Sequence, residues 1–368
     1  MPKAQETVLE IDLSALSHNY HYLKSKLKPE TKFLAVVKAF AYGNDAVKIS
    51  KHLASLGADY FAVAYAKEGL ALRDAGIKTP ILVLHPQPSN FKTIINRCLE
   101  PCIYSSKTLR TFISIAEENK QIDYPIHIKF NTGLNRLGFK SVDLDFILSR
   151  LKKSTSVKVK SLFSHLAASE DENEQEFTKA QILHFKNIAK TFKQKIDYHP
   201  WLHVCNTSGV INYPDAHLDM VRCGIGLYGF GNAPKEDAQL KPIATLKSVI
   251  SQIHFIKPNE SVGYNRAYKA KGYEKTATVA IGHADGLARH YGNEKGYVYI
   301  NNRKAPIIGN VCMDMIMVNI SDIDCQEGDE VIIFSSKYKA NALAESTHTI
   351  SYEVLTSISS RVKRVFIY

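Results

Sequence analysis

The sequence predicts a (β/α)₈ barrel followed by a mostly β domain. Three observations carry that expectation. The chain has 368 residues, and a barrel of about 250 residues would leave enough over for a second core. Up to Val221 it holds eight short apolar runs, most of them separated by helical patterns. From about Lys241 the long helical patterns stop and short strands follow one another. The early runs are continuously apolar rather than alternating, as parallel strands covered on both faces require. An open doubly wound sheet is the alternative arrangement of the same units. The expected boundaries are 1–238 for the barrel and 239–368 for the β domain.

The elements follow in order. Leu13, Leu16, Tyr20, Leu23 and Leu27 recur at spacings of three and four, which predicts a helix over 12–28. A strand over 33–38 precedes a helix carrying Val47, Ile49, Leu53 and Leu56. A strand over 60–64 precedes a helix with Leu70, Leu72 and Ala75 that stops at Gly76. Further strands are expected at 81–84, 102–104, 126–130, 157–164, 202–205 and 218–221, with helices at 109–118 and 177–192 between them. In the second part, strands are expected at 243–255, 276–281, 297–300, 305–308, 315–320 and 330–334. Turn signals such as Lys257-Pro258-Asn259 and Glu327-Gly328-Asp329 separate them. One or two short helices fit 341–361 before a last strand at 364–368.

Forty-seven Lys and Arg against 36 Asp and Glu give a net charge of +11. That raises nucleic-acid binding, but the cationic clusters are short and mixed with apolar residues. No arginine-rich arm, aromatic RNA-binding motif or zinc-finger spacing accompanies them. A diffuse basic surface favours solubility and anionic ligands, a small phosphorylated cofactor among them. Six cysteines lie at 98, 102, 205, 223, 312 and 325. Only the first two are close, so no zinc site is completed. A chain this long and apolar needs no disulfide staples, which fits reduced thiols. There is no H-E-x-x-H, and no metal is expected. Residues 1–10 lack the apolar core of a secretory leader, and no run approaches the ~18 residues of a membrane span. The expectation is a soluble, cytoplasmic protein with neither membrane nor nucleic-acid partner.

A barrel places its chemistry at the C-terminal ends of its strands. Lys38 closes the first run, Lys129 the run from 126, and His165 follows Ser164. Asn206, Thr207 and Ser208 follow Cys205, and Arg222 follows Val221. Several ionisable groups converging on one mouth predict an active site. Residues 224–229 match G-x-G-x-x-G, yet no βαβ unit and no acidic residue about 20 positions on accompany the match. This argues against a dinucleotide. On loops after late barrel strands, Thr207 and the amides of Gly224 and Ile225 suit a phosphate instead. Plain turn glycines are the other reading.

Val36-Val37-Lys38-Ala39-Phe40-Ala41-Tyr42-Gly43 resembles the pyridoxal-phosphate lysine motif of alanine racemases. Residues 57–76, 129–139, 203–209, 219–229, 281–286, 311–314 and 350–356 resemble further blocks of that family in the same order. The resemblance implies a homodimer with shared active sites. It also implies two-base interconversion of L- and D-alanine on a pyridoxal-phosphate aldimine, supplying D-alanine for cell-wall peptidoglycan. A serine or broad-specificity racemase on the same scaffold is the alternative.

By the same resemblance Lys38 binds the cofactor and acts as one base, a role that needs a neutral amine. Tyr264, from the partner subunit, is the opposing base. Arg222 faces the pyridine nitrogen. A guanidinium is a permanent donor, so that nitrogen stays unprotonated and the ring is a weaker electron sink. His165 orients Arg222 or lies against the ring. Tyr42, Asn206, Thr207, Gly224, Ile225 and Tyr352 are the other cofactor contacts, and Arg136 and Met313 contact substrate. Lys129, a lysine often carbamylated in the family, supports Arg136, while Arg289, Cys312 and Asp314 lie one layer further out. Phe40, Asn44, Asp45, Asn131 and His283 depart from the residues common in the family, and Thr207 stands where Ser is usual.

Overall fold

A computed structural model describes residues 5–368. Residues 1–4, part of the stretch read above as lacking a leader, lie outside them. The chain divides into two compact units. One comprises Ser17–Ala41 and Ala46–Leu240; the other comprises Tyr42–Asp45, Lys241–Tyr368 and the segment up to Leu16.

In chain order the first strand, β1 (Val8–Asp12), belongs to the second of these units. The first unit is built on β2 (Lys32–Val36), β3 (Tyr60–Val63), β4 (Ile81–Val83), β5 (Glu100–Ile103), β6 (Tyr124–Lys129), β7 (Val157–Phe163), β8 (Trp201–His203) and β9 (Met220–Cys223). These are the eight apolar runs of the sequence, displaced by a few residues. They pair in parallel in the order β8-β7-β6-β5-β4-β3-β2-β9. The β8–β9 seam has no ladder, but two backbone bonds span it: Asp219 N–H to Leu202 O (3.1 Å) and Arg222 N–H to Cys205 O (3.0 Å). The Asp219 carboxylate adds a third, accepting the Leu202 N–H at 2.7 Å. The result is a nearly closed barrel. The last strand runs further than the apolar pattern suggests because Arg222, a charged residue, lies inside it.

Residues paired across a parallel ladder share a face. The registers Leu82↔Glu100, Cys102↔His127, His127↔Ser161 and Phe163↔His203 therefore put Glu100, His127, Ser161 and His203 on one face. Tyr60 on β3 donates to Glu100 on β5, skipping a strand, so that face is the barrel interior. The opposite face packs under helices. Ser106–Glu118 is typical: Ser105 caps it by accepting the Thr108 N–H, and Leu109, Phe112, Ile113 and Ala116 form its buried stripe. Phe112 meets Phe91 edge-on at 5.1 Å.

The second unit contains β10 (Ala244–Ile256), β11 (Ser261–Val262), β12 (Tyr268–Lys269), β13 (Glu274–Val279), β14 (Tyr297–Ile300), β15 (Arg303–Ile308), β16 (Ile316–Asn319), β17 (Glu330–Phe334) and β18 (Lys363–Ile367). Its main sheet runs β13-β16-β15-β14-β17-β10-β1-β18, and β13 also pairs with β10. The long strand β10 is thus shared by two ladders. The short β11–β12 hairpin is too brief to leave a periodic signal. The two helices near the C-terminus are Ala340–Glu345 and Ser351–Thr356.

β1 also escapes the sequence pattern. It has only five residues, two of them acidic, yet Val8, Leu9 and Ile11 are buried between β10 and β18. Glu10 is satisfied by the nearly buried Lys247 ammonium at 2.9 Å, which also reaches Glu330 at 3.4 Å. No helix among the described residues is long and apolar enough to cross a membrane. Ile11 is fully buried, so Ile11→Ala should destabilise the second unit by about 2–5 kcal/mol. A shift of its denaturant midpoint by less than a conservative surface substitution would count against β1 as a core strand.

Candidate active site

Lys38 lies two residues past β2, and the backbone after it takes an uncommon path. Ala39, Phe40, Ala41 and Tyr42 all have φ between 52° and 56°, a single left-handed turn, and Gly43 continues at φ 86°. Each non-glycine residue there costs roughly 1–2 kcal/mol, so the surroundings must hold the turn in place. Glu68 is the main clasp in the barrel unit. Its Oε1 accepts the Ala39 N–H at 2.7 Å, and its Oε2 accepts the Ala64 and Tyr65 N–H groups at 2.6 and 3.1 Å. The Tyr228 hydroxyl donates to Val36 O at 2.9 Å. In the other unit, Arg364 donates to Gly43 O through Nε and NH2. A Cβ at Gly43 would lie 2.1 Å from Leu355 O. Glycine is thus required there on both counts. The Tyr42 and Tyr352 rings lie 5.9 Å apart in that unit.

Burial lowers the Lys38 amine below the ordinary lysine range; the Arg136 charge lowers it further and Glu68 opposes both. Lys129, at the end of β6, is lowered to about 8 by burial, with Arg136, Arg222 and Lys38 adding to it. His165 is held well below the usual imidazole range by desolvation and then by Arg222, Arg136, Lys129 and Lys38. These groups, named from the sequence, therefore gather within electrostatic reach of one another at the barrel mouth.

Arg222 is the centre of that cluster. It is 4% exposed, and burial lowers it only to about 10, so it stays charged at neutral pH. NH1 donates to His203 Nδ1 at 2.6 Å and to His203 O at 3.3 Å. NH2 donates to Ser164 O at 2.7 Å, Val204 O at 3.2 Å and His165 Nδ1 at 3.2 Å. The Nε–H has no acceptor among the described residues. The guanidinium lies 5.3 Å from the Phe163 ring centre, and His203 stacks on that ring at 4.8 Å. An arginine with four donors tied down and one left over at a barrel mouth suits a neutral ring-nitrogen acceptor.

Thr207 Oγ1 accepts the N–H groups of Gly224 and Gly226, each at 3.3 Å. The Ile225 N–H opens the turn Ile225–Tyr228 with no protein acceptor among the described residues. This loop can donate to an anion. Gly226 has a packing role, since a Cβ would lie 2.5 Å from the Thr207 methyl. Asn206 caps the helix Thr207–Asn212: its Oδ1 accepts the Gly209 N–H at 2.9 Å and the Ser169 hydroxyl at 2.8 Å. With Lys38, Arg222 and this loop on one barrel end, the residues present fit a phosphorylated aldehyde cofactor with a pyridine ring.

In the second unit Tyr264, 70% exposed, sits in a turn after Gly263 (φ 76°). It lines a concavity of ≈ 480 Å³ with Thr278, Cys312, Met313, Asp314 and Met315. The sequence blocks 281–286 and 311–314 prove to be one packed substructure. His283 N–H donates to Cys312 O and Ala284 N–H to Met313 O, both at 2.9 Å. A Cβ at Gly282 would lie 2.3 Å from Met313 O. Arg361, unnoticed in the sequence, bridges Asp285 (2.7 Å) and Asp314 (2.6 Å). The Arg289 charge reaches Cys312, opposing the rise that burial imposes on its thiol. Among the described residues no group of three or more His, Cys, Asp or Glu could hold a metal.

Sequence reasoning also passed over Glu68, Glu100, His127, Ser161, Phe163 and His203. The available signal was polar residues set into apolar strand runs, as at His127 and Ser161.

A nearly closed parallel barrel joined in one chain to a mostly antiparallel β unit is the architecture of an amino-acid racemase. Residues 11–232 match the alanine racemase N-terminal domain, and residues 243–366 match its C-terminal domain. The chain belongs to the alanine racemase family. The alanine racemase of Helicobacter acinonychis is 36% identical over 98% of both chains. The solved alanine racemase of Clostridium difficile 630 is 34% identical and superposes with a TM-score of 0.92, covering 100% of this chain and 97% of that one. That of Bartonella henselae, with covalently bound pyridoxal phosphate, is 30% identical with a TM-score of 0.88, covering 99% and 100%.

The Lys129 amine gives a pH test. Its folded-state value of about 8 lies below the unfolded value of 10.5, so between these the unfolded chain binds more protons. Stability should rise with pH across that window by up to about 3 kcal/mol. Denaturant unfolding at pH 7.5 and 10 of the wild type and of Lys129→Met checks this. An equal rise in both would mean that Lys129 does not contribute.

Proposed function

We propose that the protein interconverts L- and D-alanine with pyridoxal 5'-phosphate bound at the barrel mouth. The observation that carries this reading is the Nε–H of the buried Arg222, which no described residue accepts, in a cluster with the lowered amine of Lys38. When bound, the cofactor would act as the electron sink that makes the alanine Cα–H acidic. Lys38 holds it covalently and moves the Cα proton on one face. Arg222 keeps the pyridine nitrogen a hydrogen-bond acceptor, because a guanidinium does not give up its proton. With that nitrogen unprotonated, the bound cofactor would be a weaker electron sink, which would favour return of the proton to Cα. Thr207 and the Gly224 and Ile225 amides bind the phosphate, with Tyr42, Tyr352 and Asn206 as further cofactor contacts. His165, held neutral, accepts from Arg222 without adding another charge.

The opposite face needs a second acid/base group. We assign it to Tyr264 of a second copy, so that a homodimer shares its sites. Tyr264 and Met313 are large, exposed side chains on one concavity, as residues serving a partner would be. Arg136 binds the substrate carboxylate. The neutral fraction of Lys129 near pH 8 makes it able to add CO₂ as a carbamate, and the resulting anion would position Arg136. Arg289, Cys312 and Asp314 support the tyrosine side of the site. The enzyme would work in the cytoplasm, and its product, D-alanine, would serve cell-wall peptidoglycan.

Borohydride reduction of the purified protein should fix one cofactor to the peptide carrying Lys38; a label on another lysine would overturn the assignment. Tyr264→Phe should lose at least ~100-fold in the L-to-D rate while keeping cofactor, a general acid–base contribution. Heterodimers of Lys38→Ala with Tyr264→Phe should regain activity from one intact composite site, and failure to do so would exclude sharing. Bicarbonate enriched in ¹³C should give a carbamate resonance that Lys129→Ala removes.

A further inference from the structure

Five side chains on five successive strands form one hydrogen-bond chain through the barrel interior. Glu100 opens β5, His127 lies in β6, Ser161 in β7, His203 closes β8 and Arg222 lies in β9. Glu100 Oε2 is 2.6 Å from His127 Nε2, and His127 Nδ1 is 2.6 Å from Ser161 Oγ. Ser161 Oγ is 2.8 Å from His203 Nε2, and His203 Nδ1 is 2.6 Å from Arg222 NH1. None of the five is more than 9% exposed. A bulge aligns the middle of the chain: Ile126 pairs with Val159 but His127 with Ser161, so Lys160 is the extra residue. Without it His127 would face Lys160.

The chemistry of the ends fixes the direction of every bond between them. Arginine only donates, so His203 Nδ1 is an acceptor and its proton is on Nε2. That N–H donates to Ser161 Oγ. The Ser161 hydroxyl then donates to His127 Nδ1, which puts the His127 proton on Nε2, facing the Glu100 carboxylate. Both histidines are neutral and of one tautomer. Reversing any bond would bring two N–H donors together at His203 and Arg222. If His127 were an imidazolium, the Ser161 hydroxyl hydrogen would have no acceptor in a fully buried site, a costly arrangement. Tyr60 adds a second donor to Glu100 at 3.1 Å.

We infer that Glu100, His127 and Ser161 are positioning residues for Arg222. They carry the anchor of the guanidinium from the mouth of the barrel to a carboxylate in its interior. His203 alone would leave its own Nε2–H without an acceptor and free the ring to turn; the relay fixes the ring, and the ring fixes NH1. The Nε–H is thereby held to one direction. The consequence for catalysis rests on the proposed binding of pyridoxal phosphate; the tautomers do not.

The test has two arms. Magic-angle-spinning ¹⁵N spectra of histidine-labelled protein carrying its cofactor, with resonances assigned by His127→Gln and His203→Gln differences, should show both rings neutral with Nε2–H. An imidazolium at His127 or an Nδ1–H tautomer at either ring would overturn the inference. Ser161→Ala cuts the chain at its centre, and Glu100→Met removes its end with little change in shape. Both should raise the pyruvate formed per racemisation turnover by about tenfold, the equivalent of one lost buried hydrogen bond. In that side reaction alanine is oxidised to pyruvate and its amino group passes to the cofactor aldehyde, which is reduced to the amine. Unchanged partition in Ser161→Ala would refute the positioning role, and a change there but not in Glu100→Met would end the chain short of Glu100. Loss of cofactor binding in the wild type would refute the proposed function alone, because the tautomers can still be read.

Discussion

The barrel is organised around the burial of one guanidinium. Placing Arg222 on the inward face of β9 removes a permanent charge from water, which costs several kcal/mol unless its donors are met. The structure meets them from the ends of β7 and β8 and the turns that follow, through the carbonyls of Ser164, His203 and Val204 and the imidazoles of His165 and His203. These acceptors converge only if the sheet curls until β8 stands beside β9. The backbone bonds across that seam involve Asp219 and Arg222 itself. Closing the barrel and satisfying the arginine are therefore one requirement. An interior of Val, Ile and Leu, the common filling of such barrels, would supply no acceptor.

A second constraint meets the first near Lys38. The lysine must project from the strand end while the chain turns away at once, and a left-handed turn does this in few residues. None of Ala39, Phe40, Ala41 or Tyr42 favours that conformation. The turn depends on fixed partners: Glu68 within the barrel unit and, within the other unit, Arg364 and a glycine that leaves room for the Leu355 carbonyl. Glu68 does two things at once, since its negative charge also opposes the forces that deprotonate Lys38. Burial and the Arg136 charge still leave the amine below the ordinary lysine range.

The layout was legible in the sequence to the extent that physics acts locally. The eight barrel strands read as apolar runs, and Lys38, Lys129 and His165 stood out as ionisable residues at the ends of those runs. Arg222 was visible for the same reason, although it lies inside its strand. What stayed hidden depends on distant partners. β1 is five residues with two acids, and only Lys247, more than two hundred residues later, makes Glu10 acceptable in a sheet. The left-handed turn is invisible because its residues have no local reason to adopt it. Glu100, His127, Ser161 and His203 look like blemishes in apolar runs. Their meaning requires knowing that five strands are neighbours and that one of them carries a bulge.

Charge balance decides what the barrel mouth can bind. Arg136, Arg222 and Lys38 add to burial in lowering Lys129, and Arg136 does so at Lys38, while the carboxylate acting on Lys38, Glu68, is committed to three backbone N–H groups. Glu100 lies at the far end of a relay through neutral groups. Such a cluster is under repulsion that anions would relieve. A phosphate at the Thr207–Ile225 loop, a substrate carboxylate at Arg136 and a carbamate on Lys129 would each do so from a different side. Burial is the larger cause of the lowered Lys38 and Lys129 amines, and the same cations that draw in anionic ligands add to it, favouring the neutral, nucleophilic form of both lysines. Ligand capture and lysine chemistry therefore both draw on burying more cations than anions around one barrel mouth.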